Sequence, residues 1–220
     1  MGTLQATAEA VEGLDGLVAA LSVPYDGSNA DHVAALQRLW QLAWPGVPWE
    51  GVVSQRWMQL GFQRDDPTSD LRGAGVAGVH HLNAFIAAYP EEFAAAVGTG
   101  PNHCIAIASL NLTLLLRAYL RLHRVNEALQ PVAPGGNLRG SDEMRQRFLA
   151  WEQVSGDAFE LLHGCLLAFM LARWRAMLGK PQTTLLDFPK VLVETRDLMG
   201  KTLPRLPTPW ASAQVPTTLK

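Results

Sequence analysis

Apolar residues recur every three or four positions along most of this chain, and stretches rich in Pro and Gly separate the periodic segments. This spacing is typical of amphipathic helices, and no segment alternates apolar and polar residues as a half-buried strand does. The pattern therefore predicts an all-α fold, an irregular multi-helix bundle of about eight helices. The predicted helices span 29–44, 50–60, 75–89, 91–97, 102–124, 141–178 with one break, and 187–199, after a less regular helical pattern over 3–21.

Two segments, 104–116 and 161–172, are apolar on nearly every side. Each is shorter than the roughly 20 apolar residues that cross a bilayer, and polar residues interrupt both, so we expect buried core helices. Along the whole chain the pattern predicts three parts: an N-terminal helix or tail over 1–29, one helical domain over 30–203, and a Pro-rich tail over 204–220.

Composition narrows the possible functions. The chain has 220 residues and a formal net charge of −2, so no overall basic field attracts nucleic acid. The two cysteines, Cys104 and Cys165, lie in apolar runs and are expected to be buried. The adjacent His80 and His81 face apart on a helix, and the other histidines are scattered, so no metal site is expected. Residues 1–12 lack the basic start of a signal peptide, which favours a cytoplasmic location.

The stretch 61–73, here called the Arg72 loop, has neither helical nor strand periodicity and is rich in Gly, Pro, Asp and Ser. Loops of this length are uncommon in compact domains and are often functional. The loop and its flanks hold a set of residues whose types and spacing are specific: Trp57, Gly61, Phe62, Gln63, Asp66, Pro67, Asp70, Leu71, Arg72, Gly73, Gly75 and Gly78.

This set resembles the signature of the ELMO domain, in which Trp-x-x-x-Gly-Phe-Gln leads through Asp-Pro into Asp-[Phe/Leu]-Arg-Gly-x-Gly and a helix. Downstream, 111–113 is similar to part of the family's central helix, and 185–192 is similar to the start of its C-terminal helix. The resemblance extends over 30–203 and implies the helical fold of that family. Leu71 and Ala77 stand where Phe and Leu are commoner, at positions expected to pack.

The resemblance also implies a function. Family members that carry this Arg resemble activators of small GTPases of the Arf and Arf-like class, so Arg72 is expected to act in trans as a catalytic arginine finger. Such a residue stabilises the negative charge that develops on the transferring phosphoryl group. The activator has no active site of its own, and any membrane contact would be peripheral, through the GTPase. The residues expected to support the loop are Trp57, Gly61, Phe62, Gln63, Asp66, Pro67, Asp70, Gly73 and Gly75.

Two alternatives remain open for this site. The larger scaffold members of the family lack the Arg and partner with Dock-type exchange factors, so the domain can instead be a non-catalytic interaction module. Arg72 would then be structural, in a salt bridge with Asp66 or Asp70. The exposure of Arg72 distinguishes the two hypotheses.

Three further patterns have structural explanations. The run 73–78 matches G-x-G-x-x-G, but no strand is predicted before it, so neither a nucleotide nor another cofactor is expected there. Trp40, Trp44 and Trp49 are close enough in sequence to form one hydrophobic cluster. A basic set on one helical face is predicted to be a solvated helix end, with phospholipid head groups as the alternative contact: Arg117, Arg121 and Arg124.

Overall fold

The computed structural model describes residues 13–98, 100, 103–124, 127–136 and 138–205. These residues form helices joined by turns and loops, with no strand among them. The all-α prediction is confirmed. The helices are α1 (13–21), α2 (Ala30–Ala43), α3 (Arg56–Gln59), α4 (Gly75–Ala88), α5 (Pro90–Val97), α6 (Ile105–Tyr119), α7 (Asp142–Ser155), α8 (Ala158–Leu178) and α9 (Phe188–Thr202). Short 3₁₀ turns lie at Pro67–Ser69, Leu185–Asp187 and Leu203–Arg205.

Local chemistry explains where several helices begin and end. The Asn29 side chain caps α2 by accepting hydrogen bonds from two backbone N–H groups of the first turn, and Ser141 caps α7 through one such bond. α5 begins at Pro90, where the missing N–H would have had no intrahelical partner. The region 141–178 breaks at Gly156, whose φ of +70° ends α7, so the predicted break is confirmed.

Two predicted helices are longer than the observed ones. The prediction over 50–60 is wrong for its first half, because Gly51 adopts a φ of +106° and only α3 is helical. The prediction over 102–124 also overreaches. Cys104 before α6 and Arg121 after it both have positive φ, which an α-helix does not accommodate.

The sequence predicts a helical pattern over 3–21 at one end of the chain and a Pro-rich tail over 204–220 at the other. Residues 13–21 are helical as predicted, and 3–12 lie outside the described residues. At the other end, Leu203–Arg205 forms a 3₁₀ turn with Leu203 buried, 206–220 lie outside the described residues, and the tail over 204–220 stays a prediction.

α8 is the central helix and packs against α4, α5, α6, α7 and α9. It has 21 residues and extends beyond both ends of the apolar run at 161–172. By length and composition it is the one helix among the described residues that could cross a membrane. Half of its most apolar stretch is buried inside the protein.

A polar cluster lies in the core between α4, α6 and α8. His163 Nε2 lies 3.1 Å from the carbonyl oxygen of Ser109, to which the Thr113 hydroxyl also donates. His81 Nδ1 lies 3.1 Å from Thr113 Oγ1. Because the hydroxyl proton of Thr113 is donated to Ser109, His81 Nδ1 is the donor in this second bond. Burial lowers the pKa of His163 to about 4 and, together with His163, lowers that of His81 well below its ordinary value. Both rings are thus neutral parts of the core.

Two side-chain predictions need correction. Arg117 is only 1% exposed and forms an ion pair with Glu127 at 2.7 Å, so it does not belong to a solvated helix end. Arg121 lies beyond α6, where its positive φ turns the chain away from the helical path. Cys165 is buried as predicted, whereas Cys104 is half-buried.

Candidate functional site

The Arg72 loop starts from an aromatic cluster in the core. Trp57 is fully buried, and the centroid of its ring lies 5.4 Å from that of Trp40 and 5.7 Å from that of Phe62, in edge-to-face contacts. Trp44 and Trp49 complete the cluster, which confirms the predicted tryptophan cluster. Such aromatic pairs contribute about 0.5–1.5 kcal/mol each beyond the area they bury. Trp57 and Phe62 therefore anchor the first residues of the loop.

Gly61 ties the same end of the loop to α6. Its φ is +91°, and a Cβ atom there would lie 2.8 Å from the backbone nitrogen of Ile105. The backbone N–H of Ala106 donates to the carbonyl of Leu60 at 3.1 Å. Both the conformation and the close approach require glycine, because a side chain would collide with backbone that cannot move aside.

Two carboxylates hold the middle of the loop through the backbone. Asp66 Oδ1 accepts hydrogen bonds from the N–H of Thr68 at 2.9 Å and from its hydroxyl at 2.6 Å, which caps the 3₁₀ turn that begins at the buried Pro67. Asp70 Oδ2 accepts a hydrogen bond from the N–H of Gln63 at 2.8 Å, while the Gln63 side chain is exposed. The second bond joins the incoming and outgoing limbs of the loop.

Arg72 is exposed at the end of this loop. Its Nε donates a hydrogen bond to the carbonyl oxygen of Ser69 at 2.9 Å. The ion pairs found among the described residues do not include Arg72. The salt bridge with Asp66 or Asp70, which the alternative hypothesis expected, is not found among the described residues, where both carboxylates accept hydrogen bonds from backbone N–H groups of the loop.

Gly73 and Gly75 carry the chain from Arg72 into α4. Gly75 has a φ of +62°, and a Cβ atom there would lie 2.1 Å from the carbonyl oxygen of Val23, so no side chain fits. A Cβ atom on Gly73 would meet only the methyl tip of Leu114, at 3.0 Å. The requirement for glycine is therefore strict at Gly75 and weaker at Gly73.

Two grooves lie away from the Arg72 loop. A groove of about 320 Å³ lies between α4 and α8, and a polar groove of about 570 Å³ lies at the end of α8. Neither is lined by residues of the Arg72 loop. The described residues also contain no cluster of His, Cys, Asp and Glu that could hold a metal ion.

The motif correctly groups the residues of the loop, but the sequence does not reveal the backbone groups to which they bond. The carbonyls of Ser69 and Val23 hold Arg72 and the start of α4, and any residue type carries a carbonyl. Tyr25 was also missed. Its hydroxyl is buried, and burial, followed by the negative charges of Asp66 and Asp26, raises the pKa of Tyr25.

Comparison with known proteins gives a family and no solved structure. The model of the ELMO/CED-12 family matches residues 15–192, which include the whole Arg72 loop. No solved structure matches this chain.

Several curated proteins are similar to parts of the chain. ELMO domain-containing protein B of Dictyostelium discoideum is 35% identical over 97 residues, which cover 43% of this chain and 34% of that protein. Human ELMO domain-containing protein 2 is 33% identical over 117 residues, 51% of this chain and 40% of that protein. Mouse ELMO domain-containing protein 1 is 45% identical over 62 residues, 28% of this chain and 19% of that protein. The matches thus span less than half of each relative.

Proposed function

The chain belongs to the ELMO/CED-12 family, and we propose that it accelerates GTP hydrolysis by a small GTPase of the Arf or Arf-like class, with Arg72 as an arginine finger in trans. One observation carries the proposal. Arg72 is exposed on an ordered loop, and it is oriented by a backbone carbonyl without an ion pair among the described residues. Its whole positive charge is available to a partner.

The chemistry of GTP hydrolysis explains why such a residue is useful. In the transition state, negative charge spreads over the oxygens of the transferring phosphoryl group. A guanidinium is planar, permanently charged and able to donate to two oxygens at once, which an ammonium group does not match. An arginine supplied by an activating protein accelerates hydrolysis by roughly 10³- to 10⁵-fold in well-studied cases.

A finger also has to be positioned before the partner arrives, since a misplaced catalytic group loses much of its effect. The bond between the Gln63 amide and Asp70, the Asp66 cap on the 3₁₀ turn, and the glycine contacts at both ends supply that order. None of these contacts uses the charge of Arg72. This separation of scaffold and charge is what the proposed role requires.

In this proposal the protein has no active site or cofactor of its own. The GTPase would bring the nucleotide and its Mg²⁺ ion, and this chain would add the guanidinium. The protein would act in the cytoplasm and meet membranes only peripherally, where its GTPase is attached. A scaffold-type interaction module remains the alternative, but that hypothesis expects Arg72 to be paired, and no such pair is found among the described residues.

A single-turnover assay tests the proposal. Arf and Arf-like GTPases are loaded with GTP, and phosphate release is followed with and without this protein. At least one GTPase should hydrolyse GTP much faster in its presence. Arg72→Lys keeps the charge but loses the planar fork, so the acceleration should fall by roughly 10²-fold or more.

Arg64→Lys is the matched control, since Arg64 is another exposed arginine of the same loop and should tolerate the change. The Arg72→Lys variant should also bind the GTPase with GDP–aluminium fluoride, a transition-state mimic, less tightly than the parent, with a smaller loss for the GTP-bound form. An Arg72→Lys variant that accelerates hydrolysis like the parent would show that Arg72 is not the finger. Binding to a GTPase or exchange factor without any acceleration would support the interaction module.

A further inference from the structure

A buried charge on α6 connects distant parts of the chain. Arg117 Nη2 donates hydrogen bonds to Glu127 Oε1 at 2.7 Å and to the Ser22 hydroxyl at 2.8 Å. The Ser22 hydroxyl donates in turn to Glu127 Oε2 at 3.2 Å. Ser22, Arg117 and Glu127 are here called the Arg117 clamp. A buried guanidinium that loses a hydrogen-bond partner is costly. Movement of Ser22 away from Arg117 would remove one such partner, so the clamp holds Ser22 at a defined position.

The residue after Ser22 contacts the base of the Arg72 loop. The Val23 carbonyl accepts a hydrogen bond from the Val76 N–H at 3.1 Å. Val76 lies in the first turn of α4, where N–H groups have no partner within the helix. Gly75 approaches the same carbonyl so closely that it has no room for a Cβ atom. The connection between α1 and α2 therefore supplies a partner that α4 cannot supply itself.

One turn of the chain connects the contact with Val23 to Arg72. The Gly75 N–H donates to the Leu71 carbonyl at 2.7 Å, so the two ends of the turn that contains Arg72 are bonded to each other. Leu71 is buried, which fixes one end in the core. Val23 fixes the other end at Gly75.

We propose that the Arg117 clamp positions the arginine finger, by holding the connection at 22–25 against the start of α4. Ser22, Arg117 and Glu127 are then positioning residues for Arg72, although none of them reaches the GTPase. This inference rests on the proposed function of Arg72. Its structural half, the hold on Val76, does not depend on that function and is tested separately.

The first test measures hydrogen exchange of the Val76 amide in the full chain. Ser22→Ala removes one hydroxyl from a half-buried residue, a much smaller change than emptying the site of Arg117. If the clamp holds Val23 in place, exchange at Val76 should become about tenfold faster, the factor expected for losing one hydrogen bond to a charged group. Ser28→Ala is the matched control, because exposed Ser28 lies in the same connection and its hydroxyl bonds only locally, to Asp26.

The second test measures GTP hydrolysis with saturating activator. Ser22→Ala should lower the maximal rate by about threefold to tenfold, while the activator concentration for half-maximal effect stays unchanged, because a positioning residue affects the transition state and not the docking surface. Ser22→Thr keeps the hydroxyl and should restore both the rate and the protection of Val76.

Each outcome has a distinct meaning. Equal exchange and equal rates in Ser22→Ala and Ser28→Ala would refute the clamp. Faster exchange at Val76 with an unchanged maximal rate, while Arg72→Lys is inactive, would refute its positioning role. If Arg72→Lys itself activates normally, the proposed function fails, and the exchange result still decides whether the clamp holds Val76.

Discussion

At the scale of single residues, the orientation of Arg72 depends on a peptide dipole and not on a carboxylate. The Ser69 carbonyl accepts a hydrogen bond from Nε, and this bond restricts the side chain without cancelling its charge. An ion pair would have offset that charge and would have to be broken before the guanidinium could bind a phosphate. The observed arrangement orients the residue and keeps it ready for an anionic partner.

Asp70 offers a prediction about how the loop is held. Asp70→Ala removes the acceptor of the Gln63 N–H, so the two limbs of the loop should separate more easily and the stimulation of GTP hydrolysis should fall about fivefold to tenfold. Asp70→Asn keeps an acceptor oxygen at the same place and should stay near the parent rate. Single-turnover hydrolysis, with thermal unfolding of each variant measured in parallel, checks both expectations.

The pair of variants distinguishes a scaffold from an ion pair. If Asp70 acted by attracting Arg72, the neutral Asn would fail as completely as Ala. Equal losses in the two variants would therefore contradict the role assigned to Asp70 here.

The sequence predicts which residues form the site because the motif fixes their types and their spacing. Gly61 and Gly75 are such cases, since each has a positive φ and backbone within reach of any Cβ atom. The sequence does not predict that Ser69 holds Arg72, because the bond uses a group that every residue carries. It also does not predict Arg117, whose partners Ser22 and Glu127 come from other segments of the chain.

At the scale of elements, tertiary contacts decide where the periodic pattern stops being helical. The segment 50–60 has helical spacing, but the N–H of Ser54 donates to the Asp65 carbonyl at 2.8 Å, a bond that an α-helix through this segment would not allow. At the end of α6, Arg117 Nε lies 3.3 Å from the Leu122 carbonyl, which favours a chain reversal there. Both contacts depend on residues outside the helices, Asp65 and Leu122, so the local periodicity contains no sign of them.

The histidine pair between α4, α6 and α8 predicts a dependence of stability on pH. Unfolded His163 binds a proton below about pH 6.5, whereas the folded protein holds its pKa at about 4. The unfolded state therefore binds more protons between these values, and stability falls as the pH drops below about 6.5. From pH 7 to pH 5, His163 should cost about 2 kcal/mol, and His81 should add to the loss.

Urea unfolding at several pH values measures this effect. His163→Gln provides the comparison, because its amide can still donate to the Ser109 carbonyl but does not titrate. The variant should be less stable overall, and its stability should change less between pH 7 and pH 5. Parallel pH profiles for the two proteins would show that His163 is not the titrating group.

At the scale of the whole molecule, the contacts of α1 make the segment before α2 part of the same structure. Leu21 is 3% exposed, and Leu14, Leu17 and Val18 pack against the shared core. The family match also starts before α2, at residue 15. The domain boundary predicted at residue 30 stays a prediction, but the packing gives a way to test it. A tail would unfold independently, whereas a packed helix shares in the unfolding of the core.

Leu21→Ala distinguishes these possibilities. Removing a buried leucine side chain from a core that relaxes only partly costs about 2–5 kcal/mol, so the midpoint of urea unfolding should fall clearly while the slope of the transition stays the same. Leu186→Ala is the matched control: Leu186 is 90% exposed, and its loss should change the free energy of unfolding by no more than about 0.5 kcal/mol. Equal, small effects of the two substitutions would show that α1 lies outside the cooperative unit. A large effect of Leu21→Ala within a single transition would instead mean that the helix before Ser22 is stabilised together with the core that presents Arg72.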